Sequence, residues 1–477
     1  MNEKILSLCE KAQSIMIYGA GTTANVLYLY LQSNGLAEKI RCFVVTELEG
    51  NPRSRYGIEV LVAENAVRLY KDSVMILAVQ EVVQSVISCY LQELGFYDFH
   101  CIDGGSLINE LYQKLYSNPI QKNKIVFSNM KNMGYGGNPK YIAEKLLECV
   151  GRERLDLVWV VSGNRYCFPK GIRTVEFGTY EYYYELATAR IWIDNTRKNF
   201  DSRKRQGQYY IQTWHGAAPI KKVEKDAEHV LPAFYIVNAK RDSQMADLFL
   251  SGSRFYTQLY RRSFWYDGSI MEVGLPRQDI FWHKSKARRR VFEYFQIDES
   301  FAMVLYAPTF RKDFTGKYYD LDLIAVKEAL EVRFEKKFIF AISKHPDNRY
   351  LEYKFEHENY IAVDGYEDFE EILAAADVLI TDYSGCMYDF SYTRRPVFLY
   401  QKDYELYQLD RDFYVPMDEL PYARTCSNEG LIHCIQEFDE ESYLNKLDAF
   451  MNSMGNFDNG TASEKVVEHI RKVLERQ

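Results

Sequence analysis

Three short apolar runs, each about one βα unit after the last, constrain this chain more than any other feature. Residues 301–306 close on Thr309 and Arg311, residues 338–342 on Ser343, Lys344 and His345, and residues 378–380 on Thr381 and Asp382. Runs that are apolar throughout and flanked by polar residues read as strands covered on both faces. Their polar ends recur every ~35 residues, the length of a parallel strand with its crossover helix. The ends are therefore expected to line up on the carboxyl edge of one parallel sheet, where open α/β sheets bind ligands. The third strand turns through Tyr383, Ser384 and Gly385 into a helical run over 386–390, with Ser384 placed to cap it. Arg311, His345 and the N–H groups behind Ser384 are expected to converge on one anionic group, because an arginine fork donates two parallel hydrogen bonds to phosphate oxygens.

The 477-residue chain is too long for one ordinary domain. Hydrophobic residues at 47% with 26% charged residues suit a soluble globular protein. A net charge of −8 argues against nucleic acid as a partner. Nine scattered cysteines, with no Cys-X-X-Cys, point to reduced thiols in a cytoplasmic setting rather than to disulfides or a zinc site. No apolar run approaches ~18 residues, so no membrane-spanning helix is expected. The N-terminus also lacks a basic start and an apolar core, so no secretion signal is expected. A basic run over 284–290, Lys-Ser-Lys-Ala-Arg-Arg-Arg, reads first as a solvated helix face and second as a contact with anionic lipid. Phe264, Trp265 and Tyr266 are further candidates for that contact.

At the N-terminus a strand over 14–18 runs into Gly19, Ala20, Gly21, Thr22, Thr23 and Ala24, then a helical pattern. This is close to the dinucleotide fingerprint, with Ala24 at the third small position. Gly19 and Gly21 permit the tight turn, and the helix starting near Thr22 offers N–H groups to a phosphate. Glu47, just beyond the strand over 40–45, is placed to accept a ribose hydroxyl. With helices over 63–70 and 82–94 and strands over 73–79 and 99–102, this is a Rossmann-like α/β domain over 1–118. Its turn is either a nucleotide site, NAD-like in the richest reading, or part of a docking domain that keeps the turn. Residues 104–122 read as a boundary.

A second α/β series begins at Lys124, with strands over 125–127, 157–161, 174–177 and 191–193. Its most distinctive strand, 209–214, runs directly into His215 and Gly216. A histidine beside a glycine at a strand end sits at the mouth of a sheet, where imidazole serves as a general base near neutral pH or as a hydrogen-bonded structural group. The domains expected are 119–290 and 291–477, facing each other across a cleft.

These residues resemble the CDP-glycerol glycerophosphotransferase family, the teichoic-acid and capsule polymerases of GT-B fold. The matching pieces are 212–216 with Lys221 and Lys222, 274–279, 306–311, 344–346, and 381–384 with Asp389 beyond; 136–142 and 458–463 match more weakly. The resemblance covers about 124–477 and implies transfer of a polyol phosphate, glycerol phosphate first, from CDP-glycerol or CDP-ribitol to a hydroxyl, releasing CMP. It implies His215 as the base. Arg311, His345 and the Ser384 helix terminus would hold the pyrophosphate, and Thr309 and Asp382 would shape the donor pocket with Gly385. Lys221, Lys222, Arg277 and Asp389 are expected at the acceptor or at phosphate. Acceptors in the family are lipid-linked or polymeric, so peripheral attachment to the inner leaflet is expected.

Two positions depart from the family pattern: Ala217, Ala218 and Pro219 carry one extra residue after His-Gly, and Gly385 stands where a second serine is usual. Asp320 and Asp322 read as a solvated acidic stretch rather than a metal motif, so no metal is expected. The transfer itself is expected to need no cofactor beyond its CDP-linked donor, apart from the NAD-like or nucleotide ligand open for the first domain. A GT-B glycosyltransferase using a nucleotide sugar is the alternative enzyme. An NAD-sensing protein and a non-catalytic polymer-binding protein are the alternatives from other classes.

Overall fold

The computed structural model describes residues 2–132, 134–150, 154–163, 167–309, 311, 319–344, 360–408 and 413–475. They form two units. One comprises Met1–Lys124, Thr174–Arg190 and Asn199–Gln208; the other comprises Ile125–Arg173, Ile191–Lys198 and Tyr209–Gln477.

In the first unit β1 (Ile15–Tyr18), β2 (Ile40–Val45), β3 (Ser54–Arg55), β4 (Ile58–Val62), β5 (Val74–Leu77) and β6 (Phe99–Cys101) make a sheet of order β3-β4-β2-β1-β5-β6. All its pairs are parallel except the β3–β4 hairpin. β1 and β5 are buried at every residue, as strands covered by helices on both faces must be. Strand order turns back between β1 and β5, which opens a crevice at their carboxyl ends.

Residues 104–122 hold regular structure. A helix spans Gly104–Leu115, capped by the Asp103 carboxylate, which accepts the Ser106 N–H at 3.1 Å. Leu107, Ile108, Leu111 and Leu115 bury one face of it, and the three small residues at its start hid that periodicity. The later segments join the same unit through buried polar contacts. The Tyr183 hydroxyl donates to Asp201 at 2.5 Å, Lys124 pairs with Glu185 at 2.7 Å, and Asn25 Nδ2 donates to the Gly178 carbonyl at 2.6 Å.

The second unit carries two sheets. The first has β7 (Gln121–Ser128), β8 (Asp156–Val161), β9 (Ile172–Glu176), β10 (Ala189–Asp194), β11 (Tyr209–Gln212), β12 (Leu248–Ser251) and β13 (Ser269–Glu272), in the order β13-β12-β11-β10-β7-β8-β9. The second has β14 (Ala302–Ala307), β15 (Phe338–Ile342), β16 (Tyr360–Ala362), β17 (Val378–Thr381), β18 (Val397–Tyr400) and β19 (Ala423–Thr425), in the order β16-β15-β14-β17-β18-β19, parallel throughout. Tyr306 is level with Ile342, and Ala307 with Thr381, so the polar strand ends do stand side by side. The C-terminal helix Ala462–Glu475 returns to the first of these sheets, where Val466 and Ile470 join Ile125, Phe127 and Trp159 in one core.

Among the described residues, no helix is long and apolar enough to cross a membrane. Burial removes two of the three aromatic candidates for lipid contact, while Trp265 is half-buried. Phe264 and Tyr266 are 0% and 2% exposed and pack on Phe249 inside the unit, because apolar rings at a strand-flanking turn gain more from the core than from a surface. In the basic helix Lys284–Phe295, Lys284 donates to the Thr393 carbonyl, Arg288 pairs with Asp377 at 2.8 Å, and Arg290 pairs with Glu371. Lys286 and Arg289 are left exposed.

Candidate active site

β11 ends at Gln212, three residues before the histidine. The Gln212 side chain turns back to accept the Trp214 N–H at 2.9 Å, and Trp214 takes a left-handed φ of 54°. Asn138 steadies this turn by donating to the carbonyls of Thr213 (3.3 Å) and Trp214 (3.0 Å). Its neighbour Gly137 has φ +62°, and a Cβ there would stand 2.7 Å from Asn195 Nδ2, so both backbone and packing demand glycine.

His215 is half-buried, stacked on Trp214 with ring centroids 4.4 Å apart. Its Nδ1 lies 2.7 Å from the Asn195 carbonyl oxygen. A carbonyl only accepts, so Nδ1 carries the proton and Nε2 keeps its lone pair. Burial lowers the imidazole pKa below its usual 6.5; the positive charge of Arg277 reinforces this and the bond to Asn195 opposes it. The geometry is that of a neutral base at neutral pH.

Across the second sheet of this unit, Thr309, Asp382 and Arg311 meet as the strand register demands. Asp382 accepts the N–H of Thr309 (2.9 Å) and of Tyr383 (2.6 Å), and its other oxygen takes Arg311 at 2.8 Å. Arg311 also grips Asp403 through Nε (2.6 Å) and a terminal nitrogen (3.0 Å), and donates to the Thr309 hydroxyl and carbonyl. Its five N–H donors are all turned to the chain's own oxygens, and the two carboxylates raise its pKa against the cost of burial. Its guanidinium also lies over Tyr383 and Tyr407, which stack 3.7 Å apart.

Lys221 lies 3.5 Å above the Tyr407 ring and bridges to Phe413, and Lys222 is half-buried beside it. The Ser384 hydroxyl accepts the Cys386 N–H at 3.4 Å, while Gly385 occupies the cap position of the helix Cys386–Phe390. A Cβ on Gly385 would meet the Ala218 carbonyl at 3.3 Å, so the two departures from the family pattern touch. Arg277 and Asp389 pair with each other, and Arg277 also pairs with Glu370 at 2.7 Å. His345 lies outside the described residues; the preceding Lys344 N–H donates to Asp364 at 2.6 Å.

Gly19, Gly21, Thr22 and Glu47 line one cavity of about 440 Å³ in the first unit. Asp320 pairs with Lys402 and accepts from Tyr400, and Asp322 caps the helix Leu323–Phe334. No cluster of three or more metal-ligating side chains occurs among the described residues.

Sequence reasoning missed Asp403, Asn195 and Tyr407. Asp403 was within reach: it lies three residues past the end of β18, so the strand-end argument that reached Asp382, directly after β17, extends to a fourth strand. Asn195 acts through its backbone, which no side-chain pattern reports.

The profile of the CDP-glycerol:poly(glycerophosphate) glycerophosphotransferase family matches residues 110–472. A teichoic acid poly(glycerol phosphate) polymerase of Staphylococcus epidermidis is 29% identical over 381 residues, covering 75% of this chain and 52% of the relative. The chain thus spans about half of that protein. A teichoic acid glycerol-phosphate transferase of Staphylococcus aureus is 28% identical over 387 residues, covering 75% of this chain and 95% of the relative. The solved structure of the wall teichoic acid polymerase TagF superposes with a TM-score of 0.69 at 25% identity, covering 83% of this chain and 97% of that one. This likeness shows a GT-B-like fold. With the family profile matching most of its length, the chain belongs to the CDP-glycerol:poly(glycerophosphate) glycerophosphotransferase family.

Proposed function

We propose that this chain moves a polyol phosphate, glycerol phosphate first, from a CDP-linked donor to a hydroxyl of a teichoic-acid-like or capsular polymer. The observation that carries the reading is the His215 tautomer, with Nδ1–H held by the Asn195 carbonyl and a basic Nε2 at a lowered pKa. His215 Nε2 takes the proton of the acceptor hydroxyl. The acceptor oxygen attacks the phosphorus that carries the polyol, and the P–O bond to the CMP phosphate breaks, with CMP leaving on that electron pair. Thr309, Asp382, Ser384 and Gly385 border the donor, and Lys221 and Lys222 face its phosphates. Arg311 acts as a positioning residue, since its donors are spent on Thr309, Asp382 and Asp403. Arg277 and Asp389, paired with each other, act as positioning residues behind the site. His345, carried by the same resemblance, completes the phosphate site. Positioning and charge account for most of such a displacement, so no further cofactor is invoked. The acceptor is lipid-linked or polymeric at the inner face of the membrane, where exposed Lys286 and Arg289 meet anionic headgroups.

The test incubates the protein with a polymer acceptor and CDP-glycerol, CDP-ribitol or nucleotide sugars, and follows nucleotide release. CMP release from a CDP-polyol is expected. His215→Ala is expected to abolish it while calorimetry still shows donor binding. Lost donor binding in a folded His215→Ala protein would remove the base assignment, and turnover of nucleotide sugars alone would replace the reading with glycosyl transfer.

A further inference from the structure

The first unit holds a cavity that polyol-phosphate transfer does not use. It opens at the carboxyl ends of β1, β2 and β5, where the strand order turns back. Two of its glycines have different reasons to exist. Gly19 has φ +121°, and a Cβ there would stand 2.6 Å from the Ala78 carbonyl, so the fold itself demands it. Gly21 has an extended backbone (φ −92°, ψ −161°) that any residue adopts, and a Cβ there would meet no atom within 4 Å. Neither strain nor packing explains glycine at 21; a group approaching closely from the cavity does.

Gly21 is also the cap residue of the helix Thr22–Ser33, and no side chain caps that helix, so its first N–H groups are open to an anion. Thr23 lines the cavity at 6% exposure, and its hydroxyl has no hydrogen-bond partner among the described residues. The other wall is apolar, from Val79, Val83 and Ile87, and suits the flat face of a base. Glu47 stands exposed at the mouth, beyond β2, and no lysine or arginine lines the space.

We infer that the first unit binds a nucleotide carrying a diphosphate and an unphosphorylated ribose, separately from the CDP-polyol site. The diphosphate lies against Gly21 and the open helix N–H groups, with the Thr23 hydroxyl as a further donor. The ribose diol donates to the Glu47 carboxylate, which repels a 2′-phosphate. This inference stands whether or not polyol-phosphate transfer is confirmed.

Calorimetry on the full chain with NAD+, NADP+ and ADP tests it. NAD+ or ADP is expected to bind, and NADP+ to bind about tenfold or more weakly than NAD+. Gly21→Val is expected to weaken NAD+ and ADP about tenfold or more, with the thermal midpoint and CDP-glycerol binding unchanged. Glu47→Lys is expected to narrow or invert the preference for NAD+ over NADP+, and it reads the site independently if Gly21→Val fails to fold. Three results would overturn the inference: no binding of NAD+ or ADP at millimolar concentration, binding that survives both substitutions unchanged, or competition of NAD+ with CDP-glycerol.

Discussion

His215 illustrates how one side chain is prepared by groups that do not react. The Asn195 carbonyl selects the tautomer, and burial beside Trp214 favours the neutral ring. The pH dependence follows from the sign of that shift. A base must be unprotonated, and a pKa below 6.5 leaves His215 neutral throughout the neutral range. kcat/KM for CMP release is expected to be flat near pH 7–8 and to fall tenfold per unit only below that lowered pKa. A midpoint above 6.5 in the pH–rate profile would show that another group controls the proton. Arg311 teaches a complementary lesson. Its position was readable, but its pairing with two carboxylates was not: Asp382 stands 71 positions beyond it and Asp403 92 positions beyond.

Among the elements, two stretches that resembled the family weakly or strongly turn out to interlock. The residues 274–279 and 458–463 meet at the start of the C-terminal helix. Asp279 accepts the N–H groups of Ala462 (3.0 Å) and Ser463 (2.8 Å), and Asp458 accepts the Leu275 N–H at 2.6 Å. Gly274, at φ +94°, is pressed against Asp458, where a Cβ would approach to 2.5 Å. These residues therefore build the helix terminus that packs Val466 and Ile470 into the core. Asp279→Ala leaves two helix N–H groups without an acceptor and is expected to cost about 1–2 kcal/mol. Urea unfolding reads that as a lower midpoint at unchanged slope. Asp279→Asn is expected to retain part of the loss, and an unchanged midpoint in the alanine variant would mean that water replaces the cap without cost.

Taken over the whole chain, the first unit is assembled from segments far apart in sequence. Thr174–Arg190 and Asn199–Gln208 belong with residues up to Lys124, and the Tyr183–Asp201 and Lys124–Glu185 contacts are buried there. A chain beginning at Ile125 would keep Tyr182, Tyr183 and Asp201 but lose the residues that cover them. Such a truncation is expected to aggregate or to lose cooperative unfolding in size-exclusion chromatography and thermal melts. A monomeric truncated chain with the full-length midpoint would show that these segments find other cover.

The strands, the glycine turn and the strand-end residues Thr309, Arg311, Asp382 and His215 were legible because they follow local rules: apolar runs bounded by polar residues, and small residues at tight turns. Family membership was legible for a related reason, since short motifs kept in order survive at 25–29% identity. Pairing was not legible. That Arg277 meets Asp389, that Gly385 lies against Ala218, and that residues 174–190 cover the first unit depend on contacts between residues far apart in the chain. Local patterns report which face of an element is buried and which end is polar. Which partner fills that face or answers that charge is settled when the chain packs, because burial and charge pairing act through space and carry no fixed spacing in sequence.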